Sequence, residues 1–92
     1  MQKYLVLIEK AESNYSSFSP DVPGCIAHGK SVEQTISNMK EALELHIGEL
    51  VEIPEAKGLQ HHRNAGIFKE GGVDANCFVV HVEIRSKNNM DV

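Results

Sequence analysis

Lys3-Tyr4-Leu5-Val6-Leu7-Ile8-Glu9 has no polar face along its middle. Read as a strand, it sends Leu5 and Leu7 to one side and Tyr4, Val6 and Ile8 to the other, because strand side chains alternate. A strand that is apolar on both sides lies inside a sheet, with a neighbour on each edge and a cover on each face. Tyr4 to Ile8 is also the longest unbroken apolar run in the chain. It is far shorter than the roughly 20 residues a membrane-crossing helix needs.

Working outward, Ala11 to Asn14 is mostly polar and reads as a turn, and Tyr15-Ser16-Ser17-Phe18-Ser19 reads as a short second strand. The two make an antiparallel hairpin. Pro20-Asp21-Val22-Pro23-Gly24 is the sharpest punctuation in the sequence. Pro23 presets φ for the first central position of a turn, and Gly24 supplies the positive φ that the second position of a type II turn requires. Cys25-Ile26-Ala27-His28 is then a third strand, stopped by Gly29.

Ser31-Val32-Glu33-Gln34 is a capping box, in which Ser31 accepts from the Gln34 amide and the Gln34 side chain reaches back to the Ser31 amide. The helix it opens runs to about Leu50. Val32, Ile36, Met39, Leu43, Ile47 and Leu50 recur at steps of three and four and form the stripe that faces the sheet. Thr35 is a weaker helix former that such a helix tolerates. Ile53-Pro54 ends the helical region. Residues 55–76 read as a largely irregular connection, with a short helix over Leu59 to Ala65 as the alternative. Cys77 to Arg85 is the last strand, with Phe78, Val80, Val82 and Ile84 on one apolar face.

The order is β-β-β-α-β, an α+β chain with a single, mainly antiparallel sheet. The first strand needs two neighbours, so the fourth lies beside it and the sheet order is 3-2-1-4, with one helix on one face. One domain spans residues 1–85, and 86–92 form a polar tail. A single helix cannot cover both faces, so the opposite face is expected to serve self-association.

The 92 residues, 41% apolar and 24% charged, fit one ordinary globular domain. Up to Glu55 there are nine acidic and four basic residues; beyond it there are four and five. No basic stripe is present to displace counterions from nucleic-acid phosphates. The acidic surplus suits a basic partner instead. Two cysteines are too few for a disulfide scaffold, and the N-terminus lacks the features of a signal peptide, so the expected location is cytoplasmic with reduced thiols.

Catalytic and metal chemistry find little support. Glu9 ends a strand, Asp21 lies in a turn and Glu41 is on the polar side of the helix, so no carboxylate cluster for divalent metals converges. Cys25 and His28, three apart on a strand, point to opposite faces. Cys77 and His81 share a face but stand about 13 Å apart along it, too far for one zinc ion. Adjacent His61, His62 and Arg63 read as loop surface. No catalytic residue, metal site or cofactor is assigned.

The ordered set Tyr4-Leu5-Val6-Leu7-Ile8-Glu9, Tyr15-Ser16, Pro20-Asp21-Val22-Pro23-Gly24-Cys25, Gly29, Ser31-Val32-Glu33-Gln34, Asn38 and Glu41-Ala42 resembles the HicB antitoxin domain. Val80-His81-Val82-Glu83-Ile84 is similar to that family's closing strand. The resemblance implies a partial ribonuclease-H-like fold and a non-enzymatic role: neutralising a small basic HicA-like toxin, itself a ribonuclease that cleaves RNA with a histidine. Many HicB antitoxins also carry a C-terminal operator-binding segment. Only seven residues follow Arg85, so direct DNA binding is not expected of this chain. Gly58 to Asn76 fits the family loosely, as a surface loop or a toxin-contacting excursion.

The expected partner-binding residues are Tyr15, Phe18, Asp21, Val22 and Pro23, which combine a short strand with a rigid turn. A homo-oligomer, dimer or tetramer, is expected. The alternative is an orphan homo-oligomeric scaffold or ligand-binding module with the same fold.

Overall fold

The doubly apolar strand lies inside the sheet. The computed structural model describes residues 2–69 and 72–85. Its elements are β1 (Gln2–Lys10), β2 (Tyr15–Phe18), β3 (Ile26–Gly29), α1 (Val32–Gly48), α2 (Leu59–Asn64) and β4 (Phe78–Ile84). The sheet runs β3-β2-β1-β4 with every pair antiparallel, as the sequence predicts. Ile8 pairs with Ser17 and Phe78, and Leu7 with Phe18 and Val79, which fixes the two faces across the sheet.

α1 covers one face. Tyr4, Val6 and Ile8 meet Met39, Leu43 and Ile47 there, joined by Val22, Cys25, Val82 and Ile84 in one buried cluster. Each such side chain contributes about 1.5–3 kcal/mol of transfer free energy. The cap forms with one change. Ser31 Oγ accepts from the Gln34 amide at 3.0 Å, but Gln34 Oε1 reaches one residue further back and accepts from the Lys30 amide at 2.8 Å.

The buried stripe is Thr35, Met39, Leu43 and Ile47; Val32 and Ile36 are only half-buried, and Leu50, beyond the helix end, is exposed. Thr35 enters the core because its hydroxyl donates to the Ser31 carbonyl at 2.7 Å, leaving its polar atom satisfied.

The other face differs from expectation. Leu5 and Leu7 point away from α1, yet neither has any exposed surface. The chain itself supplies the cover. After Pro54, the Ala56 amide donates to Gln2 Oε1 and the Lys57 amide to Asp21 Oδ1, beside the start of β1. The Asp74 amide then reaches Glu9 Oε2 at 3.4 Å, near the end of β1. Leu5, Leu7 and Glu9 share a face, so the described residues between these anchors, 57–69 and 72–74, lie over it, with Leu59, Ile67, Phe68 and Val73 partly buried. α2 belongs to this second layer. The apolar row Ile26–Phe18–Leu7–Val79 is thereby closed at its centre and open at both ends, Ile26 being 61% and Val79 40% exposed.

Candidate functional site

The turn after β2 forms as its residues dictate. The Cys25 amide donates to the Val22 carbonyl at 3.3 Å, closing a turn with Pro23 and Gly24 at its centre, and Gly24 has φ of 88°. Pro23 and Gly24 project from the surface, whereas Val22 is buried in the core cluster.

Asp21 is the organising group of this corner. β2 pairs with β1 only from Leu7 to Lys10, so the Leu5 amide lies beyond the end of β2. A buried amide left without an acceptor is costly, and Asp21 Oδ2 fills that place at 3.0 Å. Its other oxygen accepts from the Lys57 amide at 2.9 Å and meets His62 Nε2 at 2.6 Å. The Asp21 side chain has no exposed surface and that of His62 is 13% exposed. Burial pushes the Asp21 carboxyl up, but the His62 hydrogen bond, the Leu5 and Lys57 amides and the His62 charge outweigh it and hold the carboxyl below its ordinary value. Nearby, burial and the Asp21 charge push the Tyr4 hydroxyl up; that hydroxyl donates to the Pro54 carbonyl at 2.6 Å.

A lowered folded value stabilises the charged form. The contribution is complete above the ordinary carboxylate value of 3.8 and is lost as pH falls through the lower folded one. Urea midpoints measured from pH 6 downward should therefore fall below about pH 4. Asp21→Asn should flatten that limb, and an unchanged limb would assign the acid sensitivity to other groups.

The five residues expected to bind a partner do not share one surface. Tyr15 lies on the α1 face, packed against the core cluster, its ring edge-on to Phe78 at 6.2 Å between centroids. Phe18 lies on the opposite face beside Ile26 and Leu7. Asp21 and Val22 are interior, and Pro23 is exposed. His62, read from sequence as loop surface, is instead a partner of Asp21. The only sequence cue was that it shares a helix face with Leu59. Cys25 is buried and His28 exposed, and among the described residues no three His, Cys, Asp or Glu side chains converge to hold a metal. No described helix is long and apolar enough to cross a membrane.

Residues 4–89 match the profile of the HicB_like antitoxin of bacterial toxin-antitoxin systems. The chain belongs to the HicB-like antitoxin family. A UPF0150 protein of Helicobacter pylori is 48% identical over 44 residues, covering 48% of this chain and 61% of that protein. An uncharacterized 14.9 kDa protein of Haemophilus phage HP1 is 31% identical over 71 residues, 73% of this chain and 53% of that one. This HicB-like chain thus spans between half and two-thirds of the length of these relatives.

Among solved structures, the N-terminal domain of the Burkholderia pseudomallei antitoxin HicB superposes with a TM-score of 0.69 at 23% identity, covering 91% of this chain and 99% of that one. A chain from a HicA3 and HicB3 toxin-antitoxin complex gives 0.67 at 23% identity, with the same coverage. These likenesses establish a HicB-type fold.

Proposed function

We propose that this chain is a cytoplasmic antitoxin that neutralises a HicA-type ribonuclease by direct protein contact, as a binding protein rather than an enzyme. The observation that carries the reading is the family match over residues 4–89. The fold likeness to a chain from a toxin-antitoxin complex supports it. The acidic surplus favours a basic protein over nucleic acid, so toxin contact rather than operator contact falls to this domain. Within the expected patch, Phe18 and Pro23 make contact. Asp21 and Val22 shape the turn from beneath, and Tyr15 braces the α1 face.

Self-association is assigned to the free edge of β4. The Leu5 amide faces Asp21, on the β2 side, so Tyr4, Val6 and Ile8 direct their backbone groups to Val82, Val80 and Phe78. The backbone groups of Val79, His81 and Glu83 then point outward, where a second copy can add its own strand.

The test is co-expression with a HicA-type toxin, taken from the reading frame adjoining its gene where that frame encodes one, then light scattering and RNA cleavage with and without the chain. A stable complex of even subunit number that silences cleavage is expected. A folded oligomer that binds nothing and leaves cleavage untouched favours the orphan scaffold.

A further inference from the structure

The two edges of the sheet are not alike. β3 is four residues long, α1 packs against it, and its His28 carbonyl already accepts from Asn38 Nδ2 at 2.7 Å. That edge is short and partly closed. β4 is seven residues long, Phe78-Val79-Val80-His81-Val82-Glu83-Ile84, with no proline, glycine or lysine to blunt it. Among the described residues, nothing bonds to the outward backbone groups of Val79, His81 and Glu83. Exposed apolar surface follows the same edge: Phe78 is 48% exposed on the α1 face, and Val79 lies open on the other. A long, bare edge rich in β-branched residues is a template for another strand.

Resting on the self-association assigned to this edge, we propose that two copies join β4 to β4 about a two-fold axis through His81, as a closed dimer. Val79, His81 and Glu83 are the strand residues that can bond across such a seam, and His81 is the middle one. An axis there opposes His81 to the partner's His81 and Val79 to the partner's Glu83, so every outward N–H and C=O finds an antiparallel partner. Moving the axis to Val79 or Val80 leaves Glu83 with no strand residue opposite.

The side chains fit the same register. On the α1 face, Phe78 comes beside the partner's Ile84 and Val80 beside the partner's Val82, so apolar meets apolar on both halves of the seam. β4 is thus complementary to itself, which is what a two-fold interface requires. The partly closed β3 edge stops further addition, and assembly ends at two copies.

The seam also leaves the expected toxin contacts free. Phe18 lies on β2 with Pro23 beyond it, on the far side of β1 from β4. In the dimer the two Phe18 residues are five strand spacings apart, about 24 Å. Each copy keeps its own contact, and the complex has two antitoxin and two toxin chains.

The experiment measures the mass of the whole chain by sedimentation equilibrium, alone and with the HicA-type toxin. The parent should be a dimer. His81→Pro removes only an outward amide, which an edge strand tolerates, and should weaken self-association about a hundred-fold while the chain stays folded by circular dichroism. Val79→Lys, which charges the exposed apolar end of the seam without touching a backbone bond, should weaken it about ten-fold. In a Cys77→Ser background, His81→Cys should form an intersubunit disulfide on mild oxidation, because residues so paired stand about 5.5 Å apart between Cα atoms. Val79→Cys and Val80→Cys should not.

A parent that is monomeric at every concentration overturns the seam, as does a dimer that survives both His81→Pro and Val79→Lys. Crosslinking at Val79 or Val80 in place of His81 overturns the register. Folded, monomeric His81→Pro should still bind the toxin one to one and silence it; loss of silencing together with the dimer would place the toxin on the seam and overturn the arrangement. If the parent dimerises through His81 but leaves the toxin active, the antitoxin reading falls and the seam stands.

Discussion

Asp21→Ala should cost about 4 kcal/mol, read as a large drop in urea midpoint. The carboxylate is the shared acceptor for donors from three parts of the chain: the Leu5 amide of β1, the Lys57 amide of the connection and His62 of α2. Removing it leaves the Leu5 and Lys57 amides without their acceptor. Each unsatisfied buried group costs about 1–3 kcal/mol. Against a total stability of about 5–15 kcal/mol for a small domain, that is a severe loss.

The damage should also be local in a recognisable way. Lys57 and His62 hold the start of the segment that crosses Leu5 and Leu7, so the variant should expose those side chains, bind an apolar dye and be cut by protease between residues 57 and 74. Asp21→Asn keeps one acceptor oxygen and should lose about half as much. His62→Ala removes one of the three partners and should cost about 1–2 kcal/mol. A loss below about 1 kcal/mol for Asp21→Ala, with the segment still protected, would falsify the hub.

The sheet was legible because its signals are local. Alternation in residues 3–9 makes β1 central, Pro23-Gly24 closes a type II turn, and the Ser31 cap starts α1; each depends on residues within a few positions of one another. The second layer was not legible, because its determinants are separated by 16, 36 and 41 residues: Leu5 to Asp21, Asp21 to Lys57 and Asp21 to His62. A glycine-rich connection carries no periodicity to reveal that it lies across an apolar face. For the same reason Asp21 read as a contact residue. A carboxylate in a turn is ordinarily solvated, and nothing nearby in sequence announces three distant donors.

The helix shows a subtler failure of the same kind. Hydropathy placed Leu50 in the buried stripe and left out Thr35, since a hydroxyl lowers a residue's apparent fitness for a core. Thr35 hides its hydroxyl on its own helix, at the Ser31 carbonyl, and what remains is a methyl-bearing side chain of the right size.

Gly29→Ala should cost about 3 kcal/mol, near the upper end of the range for overpacking a rigid site. Gly29 reads in the sequence as a strand stop and is the last residue of β3, paired with Tyr15, and its φ is not in the left-handed region. Its value is the absence of a side chain. A Cβ there would stand 2.5 Å from Thr35 Oγ1, 2.7 Å from the Thr35 amide nitrogen and 2.9 Å from its Cα. Two of the three are backbone atoms, so no rotamer change relieves them, and the first turn of α1 must move.

That movement pulls on the Ser31 cap and on the bond from Asn38 Nδ2 to the His28 carbonyl, 2.7 Å long, which ties α1 to β3. The double variant Gly29→Ala/Thr35→Ala removes only the hydroxyl clash and should recover little. Gly48→Ala is the control. A Cβ at Gly48 meets nothing within 4 Å, and the change should stabilise α1 by about 0.5–1 kcal/mol. Equal urea midpoints for Gly29→Ala and the parent would mean that α1 can slide on β3 without cost.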